Sequence, residues 1–123
     1  MQFSILAAYC SKLPNARAER KWGNTEVFML EKKMFALFIM DERDRRIEMW
    51  CKVEDDVFLS YTDQPGIRPA PYLARAKWVA MEKHAMTNAM ARQVLNRAHQ
   101  LVLAKLPKRV QAELQGKPRQ RKA

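Results

Sequence analysis

Glycine is scarce in this 123-residue chain, with only Gly23, Gly66 and Gly116, so no glycine-rich loop is available to cradle a phosphate. Histidine is scarcer still. His84 and His99 stand apart, and neither has a cysteine, histidine or acid at metal-ligand spacing; no metal or cofactor is expected. The two cysteines, Cys10 and Cys51, occupy apolar-periodic positions in separate segments and read as buried thiols of a reducing compartment. A Cys–His nucleophile pair meets only in space, so sequence leaves it open, but a buried thiol is usually inert. The longest apolar run, Met34 to Met40, is far short of the roughly 20 residues that cross a bilayer. The opening Met1-Gln2-Phe3-Ser4-Ile5-Leu6 lacks a basic region ahead of its apolar residues, so a secretory signal is not expected. These absences point to a cytoplasmic, non-enzymatic protein with no membrane partner.

What the chain does have is a globular composition, 48% hydrophobic and 29% charged, and a net charge of +10. That length suits one domain, which buries roughly two thirds of its unfolded surface without metals or disulfides. The charge is uneven. Residues 1–53 carry ten Lys/Arg against seven acids, residues 54–66 carry only Glu54, Asp55, Asp56 and Asp63, and residues 67–123 carry thirteen Lys/Arg against Glu82 and Glu113. A basic half of this kind attracts polyanions.

Periodicity orders the elements. Phe3, Leu6, Ala7, Cys10 and Leu13 recur at helical spacing and stop at Pro14. Thr25–Glu31 and Met34–Met40 read as strands joined at Lys32-Lys33. Ile47, Met49, Cys51 and Val53 alternate with Glu48, Trp50 and Lys52, which predicts a third strand with one apolar and one mixed face. Glu54, Asp55 and Asp56 suit a helix N-terminus, with Val57, Phe58 and Tyr61 as its inner stripe. Residues 67–72 are extended because residues before proline avoid the helical region, and Lys77–Glu82 forms a fourth strand. Thr87 or Asn88 then caps a long helix with Met90, Val94, Leu95, Ala98, Leu101 and Val102 on its apolar face. Pro107 opens a last short helix that stops at Gly116. The order α-βββ-α-β-αα predicts an α+β fold, an antiparallel sheet covered by helices. Residues 1–116 form the single domain and residues 117–123 a basic, disordered C-terminal tail.

Phosphate binding needs several exposed cations on one surface. Lys32 and Lys33 lie at one strand connection and Arg43, Arg45 and Arg46 at the next; Arg68, Arg75 and Lys77 lie in or beside the proline segment; Lys117, Arg119, Arg121 and Lys122 lie in the tail. Taken singly, each is more simply a lysine or arginine that keeps a turn or edge soluble. Collectively they predict binding to the backbone of duplex DNA. Trp22, Trp50 and Trp78 stack bases only if exposed, and are otherwise packing residues; Trp50 stands out because it points away from Met49 and Cys51. A second reading is a protein-binding adaptor or chaperone-like module that uses the sheet face and Trp50 to meet an acidic protein, and it requires an exposed apolar patch. A third is a small-molecule binder or enzyme, which requires a deep pocket holding a histidine.

Several pieces, in order, resemble the MmcQ/YjbR family: Lys21-Trp22-Gly23 leading to Val27-Phe28, Lys33-Met34-Phe35-Ala36, Cys51-Lys52-Val53, Pro65-Gly66-Ile67-Arg68-Pro69-Ala70-Pro71-Tyr72-Leu73, Lys77-Trp78-Val79, Leu101-Val102 and Leu106-Pro107-Lys108. Glu31-Lys32 and Ala98-His99 depart from the family pattern. The resemblance implies a secretion-chaperone-like α+β fold with two hairpin wings, and DNA binding through those wings, an inference that itself rests on fold.

Overall fold

The structure, a computed structural model, describes residues 1–114. Helix α1 (Phe3–Lys12) is followed by strands β1 (Arg17–Lys21), β2 (Thr25–Leu30), β3 (Lys33–Met40) and β4 (Arg46–Lys52). A 3-10 turn (Asp55–Val57) leads into α2 (Phe58–Thr62). Then come β5 (Ile67–Pro69), a second 3-10 turn (Ala74–Ala76), β6 (Trp78–Met81) and α3 (Asn88–Lys105); residues 108–114 are again helical. The six strands form one antiparallel sheet in the order β1-β2-β3-β4-β6-β5. The α+β expectation therefore holds, with two strands added.

Both added strands are edges, and edge strands carry the weakest apolar signal. β1 has four charged residues in five, and Glu19 pairs on its own strand with Arg17 and with Lys21, the latter at 3.8 Å. Charge of this kind protects an edge from further pairing. β5 ends in Pro69, tolerable there because an edge strand has a side with no partner to serve. Register corrects two further expectations. Lys33 pairs with Leu30, so the β2–β3 turn is Glu31-Lys32 rather than Lys32-Lys33, with Glu31 at φ 53°. Ile47 is the extra residue of a bulge, because Ile39 faces Glu48 while Met40 faces Arg46; it is 48% exposed rather than buried. Met90 is also half-exposed, at the solvent side of the first turn of α3.

The sheet's two faces are covered differently. On one, Phe28, Phe35, Phe38, Met49, Cys51, Val79 and Met81 pack beneath α1 and α3. Phe38 meets Phe3 edge-on at 5.5 Å and Phe28 at 6.1 Å between ring centres, geometries that aromatic quadrupoles favour. The helices are tied at their starts: Gln2 N–H donates to Asn88 Oδ1 at 2.7 Å, Asn88 Nδ2 donates to Gln2 Oε1 at 2.9 Å, and Thr87 caps α3 through Met90 N–H. His99 is buried on the same side, its Nε2–H donating to the Pro14 carbonyl at 2.8 Å and its ring edge-on to Phe35. On the other face Val27, Met29, Leu37, Trp78 and Ala80 form a smaller core roofed, among the described residues, by Ala70 and Leu73 of the connection after β5.

Truncating Phe38 to Ala removes the ring that joins sheet to α1 and is expected to cost about 3–5 kcal/mol in denaturant unfolding; a loss below about 1 kcal/mol would show that the site collapses around the cavity.

Candidate nucleic-acid interface

The expected basic tips leave opposite ends of β3. Eight residues at roughly 3.3 Å each set the Glu31-Lys32 turn and the 41–45 turn roughly 25 Å apart. The two ends differ in how their cations are used.

At the 41–45 end most positive charge is paired. Arg46 grips Glu26 with two bonds, Nε to Oε1 at 2.6 Å and Nη2 to Oε2 at 3.1 Å, and the bidentate bond holds the guanidinium charge firmly on. Arg45 Nε bonds Asp41 Oδ2 at 2.8 Å, while Asp41 Oδ1 accepts the backbone N–H groups of Arg43 and Arg45. The Arg45 N–H leads the causes that hold the Asp41 carboxyl below its ordinary range. Arg20 pairs with Asp44. On β5, Arg68 pairs with Glu48 at 3.0 Å. Burial works to raise Glu48, but the bonds from Arg68 and from Trp50 Nε1–H, the latter at 2.9 Å, outweigh it and keep Glu48 below the usual carboxylate range. Of the cations expected here only Arg43 makes no ion pair among the described residues. A depression of about 480 Å³ lies at this end, lined by Arg20, Asp41, Glu42, Arg43, Asp44 and Arg45; its mixed charge offers a polyanion little.

At the opposite end the cations are left over. Lys33, Lys52 and Lys105 line a cleft of about 260 Å³ with Met34, Ala76, Trp78 and Val102. Lys32 sits in the adjoining turn, and Arg75 and Lys77 precede β6. Val53 N–H donates to the Lys77 carbonyl at 2.8 Å, which fixes that segment against β4. Among the described residues none of these six makes an ion pair. Lys77 stands in the left-handed region at φ 64°, its ammonium 5.1 Å from the centre of the Phe58 ring. Lys52 is only 9% exposed and donates to the Ala76 carbonyl at 2.6 Å. Burial first, and the neighbouring Lys105 second, depress its pKa, against a smaller opposing pull from Asp55. Periodicity did not single out Lys52 or Lys105. Their signal, a lysine on a strand's mixed face and one in a helix's last turn, is ordinary until the chain brings them together. Lys117, Arg119, Arg121 and Lys122 lie outside the described residues, as does the expected stop at Gly116.

The open face carries a second feature, an apolar groove of about 350 Å³. Its floor is Leu37, Ile39 and Trp50, and its walls are Trp22 from the β1–β2 turn and Pro71-Tyr72-Leu73 from the connection after β5. Trp50 points to this face, as its alternation with Met49 and Cys51 requires, and Trp78 is buried beneath it. Both wall aromatics stand on left-handed backbone, Trp22 at φ 54° and Tyr72 at φ 66°. Ala70-Pro71-Tyr72-Leu73 closes with Leu73 N–H on the Ala70 carbonyl at 3.1 Å. With proline second and a positive φ third, this is a type II turn, whose third position ordinarily takes glycine or asparagine.

The cysteines and histidines are placed apart. Cys51 is wholly buried and its thiol pKa is pushed up to about 12 by burial; Cys10, equally enclosed, is raised further by burial and then by Cys51. His84 is exposed beside Glu82, and His99 is spent on Pro14. Among the described residues no group of three or more His, Cys, Asp or Glu is placed to hold a metal ion, and no helix is long and apolar enough to cross a membrane.

Two outcomes follow from this geometry. At pH 8 both thiols should resist an aromatic disulfide reagent until denaturant is added; rapid reaction in the native state would mean that one of them is reachable and activated. Replacing Tyr72 by Gly should raise the unfolding free energy by about 1 kcal/mol, because a bulky residue at positive φ costs roughly 1–2 kcal/mol; a destabilised variant would show that the ring is held by packing.

A family model, YjbR, matches residues 11–101. Among solved structures, a Deinococcus radiodurans protein with a DUF419 domain superimposes with a TM-score of 0.78 at 22% identity, over 92% of this chain and 87% of that one. A Pseudomonas syringae protein known from a crystal structure gives 0.67 at 19% identity, over 82% of this chain and 98% of that one. A solution structure from the same organism gives 0.60 at 23%, over 82% and 92%. No curated protein matches the chain. At these identities the structural likeness speaks for the fold alone, while the family model covers most of the sequence: the chain belongs to the YjbR family.

Proposed function

We propose that the protein is a non-enzymatic DNA-binding protein that takes phosphate groups at the lysine-rich end of its sheet, through Lys32, Lys33, Arg75, Lys77 and Lys105, with Lys52 beneath them. One observation carries this reading: these cations have no ion-pair partner among the described residues, whereas Arg45, Arg46 and Arg68 already have theirs. An arginine gripping a carboxylate gives up that bond to reach a phosphate; an unpaired lysine has nothing to give up. Like charges around one cleft also repel, and an incoming anion relieves that repulsion. A phosphate between Lys33, Lys52 and Lys105 would raise the depressed pKa of Lys52, since opposite charge favours the ammonium form. The tail cations add to a backbone-tracking surface wherever they can reach it. An acidic protein partner would draw on the same lysines, and the apolar groove is the observation that favours it.

The test is titration of a random-sequence DNA duplex at several salt concentrations. With about six phosphates neutralised, affinity falls roughly a thousandfold between about 50 and 200 mM salt. The double change Lys33→Glu, Lys105→Glu should weaken binding more than tenfold and flatten the salt slope by about two. Replacing Arg43, Arg45 and Arg46 together by Ala should change affinity by less than about threefold. The reverse ranking would return the interface to the 41–45 turn. No binding at low salt would reject the DNA reading in favour of an acidic protein.

A further inference from the structure

We infer that the apolar groove on the open face receives unpaired bases, so that a single strand gains contacts there that a duplex cannot make. This rests on the lysine-end reading for the phosphates and adds the bases to it.

The groove's walls are the strongest sign. Trp22 is 69% exposed and Tyr72 fully exposed, although large aromatic surfaces are among the costliest to leave in water. Neither is there because the turn needs it, since a left-handed backbone prefers glycine at both positions. Two strained, exposed aromatics on either side of one groove fit a clamp set in place before its ligand arrives. Both are fixed at their bases. Arg20 Nε donates to the Gly23 carbonyl at 3.1 Å beneath Trp22, and the Ala70–Leu73 turn holds Tyr72. Among the described residues no ring pairing joins Trp22, Trp50 and Tyr72, so the faces are not spent on one another.

The polar side-chain atoms along the floor are already used. Trp50 Nε1–H is held by Glu48, Glu48 is held by Arg68, and the buried Thr25 hydroxyl donates to Asn24 Oδ1 at 3.0 Å. The groove therefore offers a π surface and an aliphatic floor, with open side-chain polar atoms only on its walls, at the Trp22 indole N–H and the Tyr72 hydroxyl, among the described residues. That suits the flat face of any base and reads none of its edges, which is how sequence-tolerant single-strand binders work.

Charge complementarity supplies the occupant's other half. Met34 lines both the groove and the cleft of Lys33, Lys52 and Lys105, so the two sites adjoin. At the far end the Lys21 ammonium lies 6.0 Å from the Trp22 ring centre but is already paired with Glu19, so the cations without an ion pair are those at the Met34 end. From Ile39 to Met34 the floor runs about 17 Å along β3. A short run of nucleotides laid along it would put bases over Leu37 and Ile39 and backbone phosphates at Lys33, Lys52 and Lys105. A purely apolar peptide would leave those three lysines unanswered.

The experiment compares three ligands of equal length: oligo-dT, an abasic strand with the same phosphates, and a duplex. The full chain is used, and fluorescence anisotropy is followed together with tryptophan emission. Oligo-dT should bind at least tenfold more tightly than the abasic strand and should quench tryptophan emission, while the duplex should resemble the abasic strand. Trp22→Ala and Tyr72→Gly should each remove fivefold or more of the oligo-dT advantage, leaving the abasic affinity and the salt slope unchanged. Tyr72→Gly relieves backbone strain, and its unfolding free energy, measured beside the binding, separates loss of the ring from loss of the fold. Equal binding of oligo-dT and abasic strand would overturn the inference while leaving the lysine end intact. Loss of binding to all three would reject both. Tryptophan emission that responds to an apolar peptide and not to oligo-dT would give the groove to a protein partner instead.

Discussion

β3 runs through the middle of the sheet and buries side chains on both of its faces, but among the described residues helices cover one of them. Phe35 and Phe38 lie under α1 and α3, where Phe3, Leu6, Leu95 and Val102 close the core. Leu37 and Ile39 lie on the opposite side, where the cover among the described residues is the connection between β5 and β6. The second face is therefore half closed, by Ala70 and Leu73 over Trp78 and Ala80, and what stays open is the groove. The exposed aromatics and the groove are thus consequences of topology as much as features of the site.

Charge follows a similar logic of partial cover. Total charge does not tell where a polyanion would settle, because an arginine and its carboxylate cancel wherever register brings them together. Glu26 on β2 and Arg46 on β4 flank β3, and their bidentate bond staples three strands at the 41–45 end. Asp41 organises the turn itself by accepting two backbone N–H groups and one side chain. These arginines serve the fold. At the other end α3 delivers Lys105 to the ends of β3 and β4, and among the described residues no carboxylate comes within ion-pair distance of it. Burial first, and the Lys105 charge second, depress the Lys52 pKa there. Three elements distant in sequence converge to make one electropositive cleft, and the fold tolerates it because Lys33 and Lys105 remain open to water.

The likeness to the Deinococcus and Pseudomonas proteins extends over most of each chain at about a fifth identity. Such distance preserves a backbone while letting surface residues drift, so the fold is shared and the site must be argued from this chain's own side chains. Lys33, Lys52, Lys105, Trp22 and Tyr72 are the residues on which that argument stands.

Much of the architecture was legible in the sequence because periodicity is local. α1 and α3 announce themselves by apolar residues three and four apart, and β4 by its alternation. The acidic run at 54–56 marks the turn ahead of α2, where Phe58 is buried as expected. The apolar settings of Cys10 and Cys51 were equally local, and both thiols are buried as that reading expected. The rest depended on partners that a linear pattern does not show. β1 became a strand because β2 offers it an edge, not because its own charged residues ask for one. Ile47 left the core because a bulge at β3–β4 made it the extra residue. Arg46 and Arg68 each pair with a glutamate twenty positions away, while Lys52 and Lys105 meet because a helix end docks beside a strand end. Side-chain spacing decides which elements form, since it acts over one or two turns of backbone. Which charges remain free, and which aromatics face water, is decided by register and topology, since ion pairs and roofed faces need residues far apart in the chain.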